Sequence, residues 1–164
     1  MKSATRNFLI YWLPALLWTA LVFIASSDAF SEKHTGSILE YVLPRIFGPI
    51  KRERFDLIHF LTRKSAHLTE YGILALMWLR AWRGAFAAWQ MRWARQTLAV
   101  CLAVAALDEF HQGFVPSRGS DVKDVALDAM GAALFLLMAF VRARHSAVGN
   151  RQSAQEAEVV GGRW

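Results

Sequence analysis

Two long apolar segments near the ends of the chain, residues 8–25 and 121–141, restrict the folds that are open to it. Each approaches the roughly 20 residues that an α-helix needs to cross the hydrocarbon core of a bilayer. Two further apolar runs, 68–82 and 97–107, reach that length only when extended through charged flanks, to about 61–82 and 97–115. The pattern predicts an all-α membrane protein with four transmembrane helices, at 8–25, 61–82, 97–115 and 121–141.

A soluble bundle of buried helices is the competing interpretation of a chain in which 55% of residues are hydrophobic. The tryptophans argue against it, because most of them lie near predicted helix ends, as in the aromatic belts of membrane proteins. These are Trp12, Trp78, Trp82, Trp89 and Trp93. The N-terminal segment resembles a secretory signal, but its apolar core exceeds the usual ~7–15 residues, which favours an uncleaved anchor.

The formal net charge of +6 predicts an anionic partner. Because basic residues alternate with the predicted spans, membrane lipid headgroups fit this charge better than nucleic acid, which we do not expect as a partner. The single cysteine, Cys101, lies within an apolar run and has no partner for an intrachain disulfide, so packing is its expected role. The sequence does not determine an oligomeric state.

Lysine and arginine divide almost equally between the two sides of the predicted membrane, so the positive-inside rule alone decides little. The short loop between the second and third spans carries arginines beside tryptophans, and among the acids only Glu156 and Glu158 fall on its side. Both observations place this side, with the N- and C-termini, in the cytoplasm of a bacterial cell. The polar ends of all four spans then meet at the outer interface of the cytoplasmic (inner) membrane.

The predicted membrane domain covers residues 1–144, and residues 26–60 form its outer loop. Within that loop, Ser37 and Glu40 have capping-box spacing ahead of an apolar stretch that ends at Pro44. This pattern predicts a short amphipathic helix lying on the membrane surface. Residues 145–164 are polar and contain glycine, which predicts a disordered cytoplasmic tail.

Charged side chains in membrane-spanning helices cost about 2.5–3.5 kcal/mol each at the helix centre, and they usually mark function. In the second span, Arg63, His67 and Glu70 are spaced i, i+4 and i+7, which places them on one helix face with Tyr71 beside it. The other two polar spans carry similar faces. In the third span the face contains Asp108, His111 and Gln112, with Glu109 rotated away. In the fourth span it contains Asp121, Asp124, Asp128 and Gly131. A short turn containing Arg118 makes these two helices antiparallel neighbours.

Three kinds of chemistry are open to this constellation. In acid/base catalysis, crowded carboxylates favour retention of a proton and histidine carries protons near neutrality; the candidates are Asp108, Glu109, His67 and Glu70. In ligand binding, arginines hold phosphate or carboxylate bidentately; the candidates are Arg63, Arg118, Gln112, Tyr71, Asp124 and Asp128. The third is a purely structural salt-bridge network, in which Arg63, Lys64 and Arg118 neutralise the acids and lock the helices together.

No cofactor is the primary expectation, with a divalent metal as the alternative. Zinc or manganese would be held by mixed nitrogen and oxygen ligands. The candidate ligands are His67, Glu70, Asp108, His111 and Asp128. The signal is weak, since the chain contains no HExxH-type spacing.

Three sequence blocks together resemble the VanZ family of membrane proteins. They are Ser26-Ser27, Arg63-Lys64-x-x-His67-x-x-Glu70-Tyr71, and Asp108-Glu109-x-His111-Gln112-x-Phe114-Val115-Pro116-x-Arg118 followed by Asp124, Asp128 and Gly131. The resemblance covers roughly residues 8–141. Two positions depart from the family pattern: Asp28 stands where relatives often carry glutamine, and Ser117 where glycine is common.

The resemblance implies a link to low-level resistance to teicoplanin, the property associated with the founding member, which has little effect on vancomycin. Teicoplanin carries a lipid tail and acts at the outer leaflet. The expected function is therefore binding of a lipid or cell-envelope precursor headgroup at the outer face. The alternative is an intramembrane hydrolase or transferase, acid/base or metal-dependent, acting on such a headgroup, and the sequence does not choose between enzyme and binder. A transporter is disfavoured, because we find no internal repeat and the polar cluster lies at one end of the spans.

Overall fold

The computed structural model describes residues 3–26, 32–86, 88–114 and 122–161, and within these ranges the chain is helical with no strand. Its elements follow one another as α1 (Ser3–Asn7), a π-helical turn (Phe8–Trp12), α2 (Leu13–Ala25), α3 (Glu32–Phe47), α4 (Arg52–Arg83), α5 (Met91–Gln112) and α6 (Val122–Gly161). The all-helical prediction is confirmed for these residues.

Two helical segments are long and apolar enough to cross a membrane. The first, Ser3–Ala25, combines α1, the π-helical turn and α2, and the second, Val122–Gly149, is the larger part of α6. The π-helical turn precedes Pro14, which has no amide hydrogen to continue the α-helical ladder; the amide of Leu13 bonds instead to the carbonyl of Phe8. The long helices α4 and α5 do not reach the same hydropathy, because polar residues interrupt them.

Helix α4 lies at the centre of the bundle and packs most extensively along α6, with further contacts to α5 and α2. Glycine permits the closest approach. A Cβ added to Gly131 of α6 would clash with the Leu68 carbonyl of α4, and one added to Gly72 of α4 would clash with the Phe135 ring of α6. The sequence analysis includes Gly131 in the inward face of the last span, and its contact with the α4 backbone shows why a side chain has no room there.

The N-terminal helix docks onto α4 through a tryptophan cluster. The Trp12 ring meets those of Trp78 and Trp82 with centroid distances of 6.1 and 4.9 Å, both close to perpendicular. The Trp78 indole also donates a hydrogen bond to Thr19 Oγ1 of α2 at 3.1 Å. Edge-to-face geometry of this kind adds about 0.5–1.5 kcal/mol per pair to the area buried. The first helix is thus held at its N-terminal end by aromatic packing.

The bundle has an apolar core, but several polar side chains are buried with it and many large apolar side chains face outward. Carboxylates and an amide are buried between the helices, including Asp108 (2% exposed) and Asp128 (3%). Large apolar side chains face outward, such as Leu17 (61% exposed), Phe110 (68%) and Leu137 (57%). Isolated exposed apolar residues are ordinary, but large apolar side chains on the outside of several helices, together with buried carboxylates, fit a lipid environment and disfavour the soluble alternative.

Several predicted element ends are corrected. Helix α3 does not stop at Pro44 but runs on to Phe47, and α4 begins at Arg52 rather than near residue 61. The extra turns of α4 contain no glycine or proline and gain an ion pair from Arg52 Nε to Asp56 Oδ1 at 3.3 Å, four residues apart. Helix α6 extends to Gly161, so the prediction of a disordered segment from residue 145 is wrong for secondary structure. That segment lacks proline and contains several strong helix formers.

Candidate functional site

The polar side chains gather at one end of the bundle, where α2 and α5 finish and where α6 begins beside the middle of α4. Ser26 follows the last residue of α2 and is 5% exposed. Its Oγ donates a hydrogen bond of 2.7 Å to Oδ2 of Asp108 on α5. The same oxygen accepts a bond of 2.8 Å from Nε2 of Gln112, one turn later. Two donors on two helices therefore hold this buried carboxylate.

Two buried oxygen atoms of this polar cluster have no hydrogen-bond partner among the described residues: Asp108 Oδ1 and the Tyr71 hydroxyl. Tyr71 lies in α4 at 1% exposure, within electrostatic range of Asp128, Asp108 and Glu70. Unsatisfied buried oxygens cost about 1–3 kcal/mol each and call for an explanation such as a bound water or a proton. Tyr71, which the sequence places beside the charged face, belongs instead to the core of the polar cluster.

Two ion pairs connect α4 to α6 in parallel. His67 Nδ1 lies 3.3 Å from Asp128 Oδ1, with the two side chains 19% and 4% exposed. One turn earlier in both helices, Lys64 contacts Asp124. Lys64 and His67 are three residues apart on α4, and Asp124 and Asp128 are four apart on α6. Both spacings correspond to about one helical turn, so the two pairs can form between helices that run side by side. Since Nδ1 faces Asp128, Nε2 of His67 is the ring nitrogen left for another partner.

An open cleft of about 380 Å³ lies beside these ion pairs, between the N-terminal half of α4 and the start of α6. The groups that line it are Asp56, His59, Phe60, Arg63, Lys64, His67 and Asp124. The cleft thus combines two cationic side chains, two imidazoles and two carboxylates with one aromatic wall. Its volume falls in the range of small-ligand sites, about 300–1,000 Å³.

The structure brings together most of the predicted site residues but divides them between two places. His67, Arg63 and Asp124 line the open cleft. Asp108 and Gln112 lie in the buried cluster behind it, with Tyr71 and Asp128 between the two. Glu70 is half-buried, and its backbone carbonyl accepts a hydrogen bond of 3.1 Å from the Trp18 indole.

On α5 the predicted polar face is rotated. His111 is exposed, whereas Glu109 is buried at 8% exposure. The apolar residues of α5 that pack inward, Cys101 and Ala105, centre its buried side between Asp108 and Glu109. His111 therefore falls outside that side, and its predicted place beside Asp108 is wrong.

Arg118 and Asp121 lie outside the described residues, as do Asp28 and the turn that precedes α6. Their predicted roles stay predictions. The metal alternative is not supported by the part of the chain that the structure describes, where no group of three or more His, Cys, Asp and Glu side chains is arranged to hold an ion. Of the candidate ligands, Asp128 contacts His67, and Asp108 accepts hydrogen bonds from Ser26 and Gln112.

Sequence reasoning did not propose four contributors to this region as site residues: Ser26, Asp56, His59 and Lys64. The sequence places Lys64 in a structural network and places both Lys64 and Ser26 in the blocks of the family resemblance, without a ligand or catalytic role. The spacing of Lys64, His67 and Tyr71, at i, i+3 and i+7, is as good a helical stripe as the one through Arg63. Which of the two stripes faces α6 depends on where α6 lies around α4, and the periodicity of α4 alone does not give that position.

Comparison with known proteins adds the following. No curated protein matches the chain, and no solved structure matches it. The family model described as VanZ/LLP1 matches residues 9–143, which include every described residue of the polar cluster and the cleft. The chain therefore belongs to the VanZ/LLP1 family.

Proposed function

We propose that the protein crosses the bacterial cytoplasmic membrane four times, through the first helix and α4, α5 and α6, with both termini inside. The polar cluster then lies at the outer interface. Helix α3 would rest on that surface, because its apolar side chains Ile38, Tyr41 and Ile46 are 64–66% exposed and share one side of the helix. An ion pair of 3.6 Å between Arg52 and Glu40 connects α3 to the start of α4.

The function that the geometry supports best is the binding of an anionic lipid or envelope-precursor headgroup in the cleft. The observation that carries this proposal is the placing of Arg63, Lys64 and His67 along one wall of a cleft of about 380 Å³. Guanidinium, ammonium and imidazolium groups are the side chains that bind phosphate oxygens most strongly. Phe60 supplies an apolar contact for the part of the ligand nearest the hydrocarbon.

Lys64 and His67 are already engaged by Asp124 and Asp128, which sets a limit on the charge that the cleft offers. A ligand phosphate would add contacts to Arg63 and to the second nitrogen of His67. Arg118 is a further candidate from the turn preceding α6. A headgroup that also carries hydroxyl or amine groups matches the mixture of basic and acidic lining residues better than bare phosphate does.

Lipid analysis of the purified protein tests this proposal. The full-length wild type and the Arg63→Gln variant are purified in mild detergent, and their co-purifying lipids are identified by mass spectrometry. Arg54→Gln is the matched control, because Arg54 is exposed on the same helix and does not line the cleft. We expect one anionic species to be retained by the wild type and the control and lost from Arg63→Gln. Equal lipid content in all three proteins would reject the headgroup site.

An enzymatic role is the second candidate, and the His67–Asp128 pair favours it. A buried carboxylate bonded to Nδ1 fixes the orientation of an imidazole and leaves Nε2 to accept a proton, which is the arrangement found in hydrolases. His67 would then act as general base on a water or hydroxyl nucleophile while Arg63 holds the phosphate. Asp108, already bonded by Ser26 and Gln112, would support the site rather than exchange protons.

Whole-cell lipid profiles separate the two roles. Cells lacking the protein, expressing it, and expressing His67→Ala at equal membrane levels are compared by mass spectrometry. A lipid or precursor that changes with the wild type and not with His67→Ala would establish turnover. A profile that is identical in all three strains, combined with lipid retention by the purified protein, would support a binder.

The family resemblance extends the proposal to teicoplanin. A protein that occupies or changes headgroups at the outer leaflet would alter the surface on which a lipid-tailed glycopeptide docks. Low-level resistance would then be a by-product of headgroup binding, and the Arg63→Gln variant would remove it without affecting vancomycin susceptibility.

A further inference from the structure

The end of the bundle opposite the polar cluster is rich in arginine, and the acids that the predicted topology places on this side are Glu156 and Glu158. Residues 71–107 and 129–155 hold no aspartate or glutamate at all. The same stretches contain Arg80, Arg83, Arg92, Arg95, Arg142, Arg144 and Arg151. The local charge at this end is therefore positive and favours an anionic ligand.

Three of these arginines share one groove. Arg83 at the end of α4, with Arg142 and Arg144 on α6, lines a groove of about 570 Å³. The connection from α4 to α5 closes its side: the Trp89 ring packs against Phe140 of α6 with a centroid distance of 5.3 Å. On the other side of that connection, Phe86 packs against Trp93 of α5 at 6.1 Å. Two aromatic contacts thus hold this wall of the groove against both neighbouring helices.

The inner wall of the groove is smooth and apolar. Ala139, Ala143 and Ala147 recur every four residues along α6, and Ala88 faces them from the connection. Side chains this small leave room for a ligand to lie along the helix, whereas the arginines and the Trp89 indole stand at the rim. The groove therefore has the layout of an amphiphile site, with an apolar wall and a cationic edge.

We propose that this groove binds one anionic phospholipid of the inner leaflet, with its phosphate on Arg142 and Arg144 and its glycerol and upper acyl chain along the alanine wall. The inference uses the four-span arrangement of the proposed function but not the headgroup cleft. Free phosphate would satisfy the arginines yet leave the alanine wall exposed to water. An indole at the rim matches the depth at which tryptophan partitions in a bilayer, near the headgroups.

Titration of the purified full-length protein tests the site. Short-chain phosphatidylglycerol, short-chain phosphatidylcholine and inorganic phosphate are added separately to protein in neutral detergent, and tryptophan emission reports binding beside Trp89. Phosphatidylglycerol is expected to bind at least about tenfold more tightly than the other two, since each basic residue contributes about 1 kcal/mol to anionic lipid binding.

Paired variants locate the effect. Arg142→Gln combined with Arg144→Gln is expected to weaken phosphatidylglycerol binding at least about tenfold. Arg92→Gln combined with Arg95→Gln removes the same charge from exposed positions on α5 outside the groove and is expected to change affinity less than about threefold. Ala143→Leu fills the groove with all charges kept, and it should weaken the lipid as well.

Three results would overturn the proposal. Equal losses in the two double variants would indicate a diffuse field rather than a groove. Equal affinity for phosphatidylglycerol and phosphatidylcholine would show that the net negative charge of the lipid does not matter. Equal affinity for phosphatidylglycerol and inorganic phosphate would mean that the groove binds the free ion and not a lipid. None of these variants alters a residue lining the headgroup cleft, so failure here and failure of the proposed function remain distinguishable.

Discussion

Gly131 of α6 lies directly against the carbonyl of Leu68 in α4, so close that no side chain fits between the two helices. Along α6, Gly131 lies one turn after Asp128, which pairs with His67, and two turns after Asp124, which pairs with Lys64. The spacing between α4 and α6 is therefore set by backbone contact, and the cleft geometry depends on it.

Substitution of Gly131 by alanine is expected to push α4 and α6 apart. The neighbour is backbone and cannot move out of the way as a flexible side chain would, so the cost should reach about 1–3 kcal/mol or more. The free energy of unfolding in detergent measures it. Gly149→Ala is the control, because a Cβ there meets nothing within 4 Å, and its better helix propensity should leave stability unchanged or raised. Equal stability of both variants would contradict the close contact.

The bond from Ser26 to Asp108 is expected to stabilise the junction of α2 with α5. Ser26→Ala removes one of the two donors to Asp108 Oδ2 and should lower the free energy of unfolding by about 0.6–1.7 kcal/mol, the range measured for hydrogen bonds between membrane helices. Ser65→Ala provides the comparison. The exposed Ser65 hydroxyl bonds only the Thr62 carbonyl of its own helix, at 3.0 Å, and its loss should be nearly neutral.

His67 and Asp128 are expected to be energetically coupled. A double-mutant cycle built from His67→Ala and Asp128→Ala should give an interaction free energy of about 0.5–3 kcal/mol, as found for residues in one polar network. The cycle of His145→Ala with Asp128→Ala should be additive, since His145 is exposed several turns away on α6. Additivity in both cycles would mean that the His67 pair contributes neither to stability nor to orientation of the imidazole.

The proposed topology predicts opposite labelling of two exposed positions. Glu53→Cys near the start of α4 should react with a membrane-impermeant maleimide in spheroplasts, whereas Ala85→Cys after α4 should react only once the membrane is permeabilised. The natural Cys101 is 0% exposed, so the unmodified protein serves as the unlabelled control. Labelling of both positions from the same side would exclude a membrane-spanning α4.

Periodicity predicted some faces of the helices well. The stripe of Asp124, Asp128 and Gly131 does face α4, because three residues at i, i+4 and i+7 can share only one side of a helix and that side is the buried one. The amount of apolar sequence likewise identified the first and last helices as long enough to span a membrane.

Other faces could not be predicted, for a physical reason. A polar helix segment has two or three plausible stripes, and the choice depends on where its neighbours lie. Lys64, which the sequence assigns only to a structural network, meets Asp124, and Glu109 rather than the predicted His111 is buried. The ends of α3, α4 and α6 were also set too short, since weakly apolar helix formers carry no periodic signal.

The burial of Asp108, Glu109 and Gln112 in α5 has a consequence for biogenesis. A segment with this many polar groups is poorly retained in lipid by itself, because each group needs a partner to offset its dehydration. Ser26, directly after α2, is synthesised before α5 and can pair with it at once, whereas α6, the main partner of α4, is synthesised after both α4 and α5. In the proposed four-span topology, α4 would therefore gain its main partner only after α6 has been synthesised, and truncation within α6 should send the protein to proteolysis.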